Sequence, residues 1–101
     1  MADRLSDTTI TSEMAELPDW KINPEHTAIT RQFTFRNFSQ AFGFMTRAAM
    51  LAEQMNHHPE WANVYHGVTV TLTTHDAGGL SALDIKMAHA MNSMAAESMA
   101  S

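Results

Sequence analysis

The chain has 101 residues, no cysteine, 45% apolar and 17% charged residues, and six basic against eleven acidic side chains for a formal charge of −5. That size and balance describe one globular domain spanning 1–101, with a core over about 5–96. They exclude a disulfide scaffold, a thiolate metal site, a cysteine nucleophile and a basic surface for nucleic acid or anionic membrane.

In chain order, the first segment carries a helix start at Ser6 and apolar Ile10, Met14 and Leu17 on one helical face. Its threonines are poor helix formers, and Leu17-Pro18 closes it. Trp20–Ile22 reads as a short strand, and Asn23-Pro24-Glu25 as a turn. Residues 28–35 alternate, with Ile29, Phe33 and Phe35 on one face. Arg31 interrupts that face, which suggests the sheet edge. Asn37, with Gln40 three residues on, opens the clearest helix. Phe38, Ala41, Phe42, Met45, Ala48, Ala49, Ala52 and Met55 form its apolar stripe, about 140° wide. Phe44 and Leu51 widen the stripe to about 180°, enough to face a sheet and a second subunit. Pro59 is expected to end the helix. Residues 62–66 and 68–75 read as strands, with His66-Gly67 either turning the chain or breaking one long strand. The last helix begins at Ser81, with Leu83, Met87, Met91 and Met94 on one face, and MAAESMAS is expected to fray.

The fold class expected from this order is α+β: helix, two strands, helix, two strands, helix. The hairpin-connected strands make an antiparallel sheet with the helices on one face. The polar opening MADRLSD does not read as a signal peptide, and no apolar run approaches the roughly 18 residues of a membrane span. The expected location is the cytoplasm.

Four positions could carry chemistry. His57 and His58 lie where the second helix stops, His75 where the last strand stops, and Asp84 in the first turn of the last helix. Glu53 is four residues before His57 and would share its helix face, where a carboxylate fixes the imidazole tautomer. His58 precedes Pro59 and should therefore point elsewhere, so that adjacent histidines reach one ligand from two directions. Each also has a plain structural reading: a surface pair for Glu53–His57, a favourable helix end for His57, a capping box for Ser81 and Asp84, a loop position for His75. His57-His58 is not the i, i+4 pair of common zinc enzymes. The chain lacks Gly-x-Ser-x-Gly, Walker and Gly-x-Gly-x-x-Gly motifs. The natural task left for imidazoles is proton transfer at neutral pH. Trp20 and Trp61 could each offer a flat apolar wall or simply pack in the core. His26, His66 and His89 read as surface residues.

The string Glu53-x-x-x-His57-His58-Pro59-Glu60-Trp61, then Asn63-Val64-Tyr65, Thr74-His75-Asp76 and Gly79-Leu80-Ser81-x-x-Asp84, resembles pterin-4a-carbinolamine dehydratase. That family is also known as the dimerisation cofactor of a hepatic homeodomain transcription factor. Ala41–Arg47 and Leu17-Pro-Asp-Trp20 resemble it too, and the similarity runs from about Leu5 to Met91. The resemblance implies a four-stranded antiparallel sheet with three helices on one face. It implies dehydration of 4a-hydroxytetrahydrobiopterin to quinonoid dihydropterin, recycling the cofactor of aromatic amino-acid hydroxylases, with no metal or organic cofactor. Carried over residue by residue, His57, His58 and His75 are the active-site histidines, with Asp84 as a catalytic and Glu53 as a substrate-side companion. Pro59 and Trp61 join the substrate-binding set. The counterparts of His57 and His75 look like the acids, one per epimer, and His58 like a binding residue with a share in base catalysis. The partners implied are a pterin, further copies of the chain through the second helix as dimer or tetramer, and an aromatic amino-acid hydroxylase. No nucleic acid or membrane partner is implied. The chain departs from the family at His66, where Asn is frequent, and in several methionines at aliphatic core positions. The alternatives are a non-catalytic protein-binding module acting as a coactivator, and a metal or pterin carrier.

Overall fold

The structure, a computed structural model, describes residues 2–100. Helix α1 covers Asp7–Met14, and its N-terminus is capped by the Ser6 hydroxyl, which accepts the Thr9 N–H at 3.2 Å. It stops one turn before Leu17-Pro18, and Leu17 is buried in the connection. Strands β1 (Lys21–Ile22) and β2 (Ile29–Thr34) form a hairpin. The turn between them is built on the Asn23 carboxamide oxygen, which accepts the N–H groups of Thr27 and Ala28 at 2.8 and 3.0 Å.

Helix α2 runs from Phe38 to Met55. The Asn37 side chain accepts the Gln40 N–H at 2.8 Å, and the Gln40 side chain accepts the Arg36 N–H at 3.0 Å, so the expected cap is formed. Strands β3 (Glu60–Val64) and β4 (Gly67–Leu72) are joined by the two-residue turn Tyr65-His66, with Tyr65 at φ 49°. The chain therefore turns rather than continuing one long strand, one residue earlier than the expected His66-Gly67. After a single 3₁₀ turn, His75–Ala77, helix α3 spans Ala82–Ala100. The expected fraying from Met94 onward is not seen up to Ala100; Ser101 lies outside the described residues.

The sheet order is β1-β2-β4-β3, and every pairing is antiparallel. Register sets Ile29, Arg31 and Phe33 opposite Leu72, Val70 and Val68, so these side chains share the helix-covered face. Phe33 packs on Phe44 of α2 with ring centroids 4.8 Å apart, and Phe35 lies 5.1 Å from the same ring. Met87 and Met91 of α3 complete the core with no exposed surface. The other face carries the alternating polar set, including Thr30 and Thr71, whose hydroxyls meet at 3.0 Å.

Two expectations are corrected by packing. Arg31 sits on an interior strand, not at the edge: its Nη1 donates to Asn92 Oδ1 at 2.6 Å and its guanidinium lies 4.2 Å over the Phe33 ring. The same Asn92 oxygen accepts the Trp20 Nε1–H at 2.8 Å, which makes Trp20 a buried core residue. In α2 the buried line is Ala41, Phe44, Ala48 and Ala52, spaced three and four apart. Phe44, expected on the flank, is fully buried, while Phe38, Phe42 and Met50 are left exposed.

Candidate active site

The site begins where α2 ends. Asn56 adopts the left-handed conformation, φ 50° and ψ 44°, which asparagine tolerates better than most residues. The His57 N–H reaches back to Ala52 O at 3.1 Å and the Asn56 N–H to Glu53 O at 3.2 Å, the bonding of a Schellman ending. The helix is therefore over three residues before Pro59. This reversal carries His57 off the face of Glu53, so the expected Glu53–His57 pair does not form. Glu53 bonds His58 instead, with Oε1 2.8 Å from Nε2.

His57 turns inward and is nearly buried, with Nε2 2.6 Å from Asp84 Oδ1. Asp84 is fully buried in the first turn of α3. Its Oδ2 accepts the Thr74 hydroxyl at 2.7 Å and the Ser81 N–H at 2.9 Å. A buried carboxylate is costly unless its lone pairs are matched by donors, and here both oxygens are. The capping arrangement seen in the sequence is real, but it occupies one oxygen only and leaves the other for His57.

That bonding fixes a proton. Asp84 Oδ1, with no proton of its own to offer, takes the His57 Nε2–H. Among the described residues His57 Nδ1 makes no hydrogen bond, and it is not sealed from solvent. His57 is one of the residues that line the histidine cleft.

His75 opens the 3₁₀ turn directly after Thr74, and its Nε2 lies 2.9 Å from Glu60 Oε2 at the start of β3. Each of the three histidines thus has one carboxylate, but the settings differ. The His58–Glu53 and His75–Glu60 pairs are exposed and lightly held, whereas His57–Asp84 is locked in the interior.

His57, His58 and His75 line a single open cleft of about 270 Å³, together with Asn56, Thr73, Thr74 and Asp76. A second hollow of about 560 Å³ shares Asn56, His57, Thr74 and Asp76 and adds the apolar Met55 and Leu83. Trp61 lies elsewhere: it lines a third, apolar hollow of about 410 Å³ with Phe42, Met45, Ala49 and Met50 of α2. Glu53 borders that hollow while holding His58. Pro59 is half-buried and lines neither the histidine cleft nor the Trp61 hollow. His26 pairs loosely with Asp7 at 3.6 Å, His66 stacks on Tyr65 at 4.5 Å, and His89 is exposed.

The sequence alone assigns no role to Glu60, Thr73, Thr74, Asp76 or Asn56, although Glu60, Thr74 and Asp76 lie within the strings that carry the resemblance. Glu60 sits in the same conspicuous string as the histidines. Thr74 breaks the alternation of Thr69, Thr71 and Thr73 and falls in step with Val68, Val70 and Leu72, a signal of inward placement that could have marked it.

A sequence model described as pterin 4 alpha carbinolamine dehydratase matches residues 3–94. A protein of Mesorhizobium japonicum named "Putative pterin-4-alpha-carbinolamine dehydratase" is 57% identical over 90 residues, 89% of this chain and 92% of its own length. One of the same name from Afipia carboxidovorans is 54% identical over 96 residues, covering 95% and 96%. A crystal structure described as a transcriptional coactivator/pterin dehydratase from Brucella melitensis superposes with a TM-score of 0.88 at 47% identity, over 92% of this chain and 99% of that one. A pterin dehydratase-like protein described as a RuBisCO assembly factor in the alpha-carboxysome shares the fold, with a TM-score of 0.67 at 20% identity over 76% and 89% of the two chains.

Proposed function

The chain belongs to the pterin 4 alpha carbinolamine dehydratase family, and from that premise we propose that it removes water from a 4a-hydroxytetrahydropterin. The observation that carries this reading is the convergence of His57, His58 and His75 on one cleft, with a buried carboxylate behind the first. In the reaction the C4a–O bond breaks and N5 loses a proton, giving quinonoid dihydropterin and water. The departing oxygen needs an acid and the ring nitrogen a base. Imidazole supplies either near neutral pH, and two protonatable rings on different sides of a flat heterocycle can serve both epimers of the alcohol.

In this reading His57 works through Nδ1, the nitrogen that is free of Asp84. Protonated there, it delivers the proton to the leaving hydroxyl of one epimer; His75 does so for the other. His58 binds the ring and shares in accepting the N5 proton. Glu53 and Glu60 orient His58 and His75 from the rim. Asp84 holds His57 and stabilises its cation when it forms. The product serves to regenerate the cofactor of an aromatic amino-acid hydroxylase. Among the described residues no three His, Cys, Asp or Glu side chains are placed so that they could hold one metal ion, and no helix is long and apolar enough to cross a membrane.

Phe38, Phe42 and Met50 stand exposed on α2, and this apolar face supports self-association as dimer or tetramer. Ultraviolet decay of enzymatically generated 4a-hydroxytetrahydropterin tests the activity. Purified protein speeds the decay, and His58→Ala slows it; decay at the buffer rate with native protein refutes the reading.

A further inference from the structure

Behind the histidine cleft lies a closed chain of hydroxyl groups. The Thr74 and Ser81 hydroxyl oxygens are 2.7 Å apart, and the Leu83 N–H points at Ser81 Oγ from 3.2 Å. Thr74 is nearly buried and Ser81 fully so. Each hydroxyl has one proton to give. Thr74 spends its proton on Asp84 Oδ2, so the Ser81 proton must point at Thr74. The Leu83 N–H fills the accepting side of Ser81. Only one direction satisfies every group: Leu83 N–H to Ser81 Oγ, Ser81 O–H to Thr74 Oγ, Thr74 O–H to Asp84 Oδ2. The Ser81 N–H adds a second donor to the same oxygen.

We infer that Thr74 and Ser81 are positioning residues, whose one-way hydrogen-bond chain fixes the plane of the Asp84 carboxylate and so aims His57 Nδ1 into the cleft. Two donors pin Oδ2, which leaves Oδ1 a single orientation and His57 a single partner. The segment that presents Ser81 is itself held. Gly78 takes φ 74° to reverse the chain after the 3₁₀ turn, and the Leu5 N–H bonds Leu80 O at 2.8 Å. A Cβ on Gly79 would meet the Arg4 side chain at 3.0 Å, so the N-terminal segment lies tightly over this loop. The order of the chain also ranks its members. Thr74 touches the carboxylate directly, whereas Ser81 acts on it through its hydroxyl only by way of Thr74.

The catalytic consequence rests on the dehydratase reading, but the hydrogen-bond chain does not. The His57 Nε2 proton, in a 2.6 Å bond to a carboxylate, is expected as a downfield proton resonance with slow exchange, seen without any substrate. Thr74→Val removes the hydroxyl at nearly constant volume. It is expected to move that resonance upfield, speed its exchange, and lower kcat about tenfold with KM changed less than twofold. Thr74→Ser restores both, and Ser81→Ala has the smaller effect. If Thr74→Val does not fold, Thr74→Ala carries the same comparison. An unchanged resonance and native kcat in the Thr74 variant overturn the inference, as does a greater loss of kcat in Ser81→Ala than in Thr74→Val. A native protein that shows the resonance yet leaves hydroxytetrahydropterin decay unaccelerated refutes the dehydratase reading and leaves this chain of bonds standing.

Discussion

Replacing Asp84 by Asn reverses a proton without changing a volume. Oδ2 receives two donors, the Thr74 hydroxyl at 2.7 Å and the Ser81 N–H at 2.9 Å, so the carboxamide must keep its oxygen there. Its NH₂ then occupies the Oδ1 position, 2.6 Å from His57 Nε2 in the native protein. An N–H now points at Nε2, which must become the acceptor, and the imidazole proton moves to Nδ1. With Nε2 engaged as an acceptor, the ring cannot take up the second proton that lets Nδ1–H act as an acid. Stability should change by no more than about 2 kcal/mol, because the weaker neutral hydrogen bonds are offset by no longer burying a charge. The rate should not be spared: loss of a correctly protonated acid–base imidazole costs about 10²–10⁴-fold in kcat. Stopped-flow decay of 4a-hydroxytetrahydropterin measures the rate, urea denaturation the stability, and nitrogen-15 shifts of His57 the tautomer. An Asp84→Asn protein that is folded, carries its proton on Nδ1 and keeps kcat within threefold of native would refute the assignment of His57 Nδ1 to the chemistry.

Other outcomes follow from the same geometry. His57→Ala and His75→Ala should slow opposite epimers of the alcohol, read by assaying each epimer separately; equal loss for both contradicts the division of labour. Asn56→Val places a β-branched residue at φ 50°, and should lower stability by about 1–2 kcal/mol in denaturant titration and weaken activity with it, whereas Asn56→Gly should be nearly neutral in stability. Phe44→Ala empties a fully buried ring site between Phe33 and Phe35 and should cost about 3–5 kcal/mol by the same titration. Phe42→Glu on the exposed face of α2 should shift light scattering toward the 11.2 kDa monomer; a native protein already at that mass contradicts self-association.

The element order was legible because its signals are local. Alternation at 28–35 and caps at Ser6, Asn37 and Ser81 depend on neighbouring residues only, and each is found where the pattern puts it. The face of α2 was harder. Phe38 and Phe42 are as apolar as Phe44, and only the sheet decides that Phe44 goes inward. Arg31 misled for a related reason: a charge on an apolar face suggests an edge, yet Asn92, 61 residues away, receives it in the interior. At the candidate site the three histidines and Asp84 are conspicuous as residue types, but their pairing is not. Helical periodicity puts Glu53 beside His57, and one left-handed residue at Asn56 exchanges that partner for Asp84. No propensity distinguishes an asparagine that continues a helix by one residue from one that reverses it. Thr74 and Glu60 stand in the strings that carry the resemblance, but their roles depend on partners that only the fold brings together, Asp84 for Thr74 and His75 for Glu60.

The account turns on where a pterin sits: in the histidine cleft or in the separate apolar hollow beside Trp61. A crystal structure with a stable dihydropterin, or proton and nitrogen-15 shift mapping with the same ligand, decides between them. The heterocycle is expected among His57, His58 and His75, shifting all three rings at once. A pterin lodged instead against Trp61, Phe42 and Met50, with the three imidazoles unmoved, would contradict it.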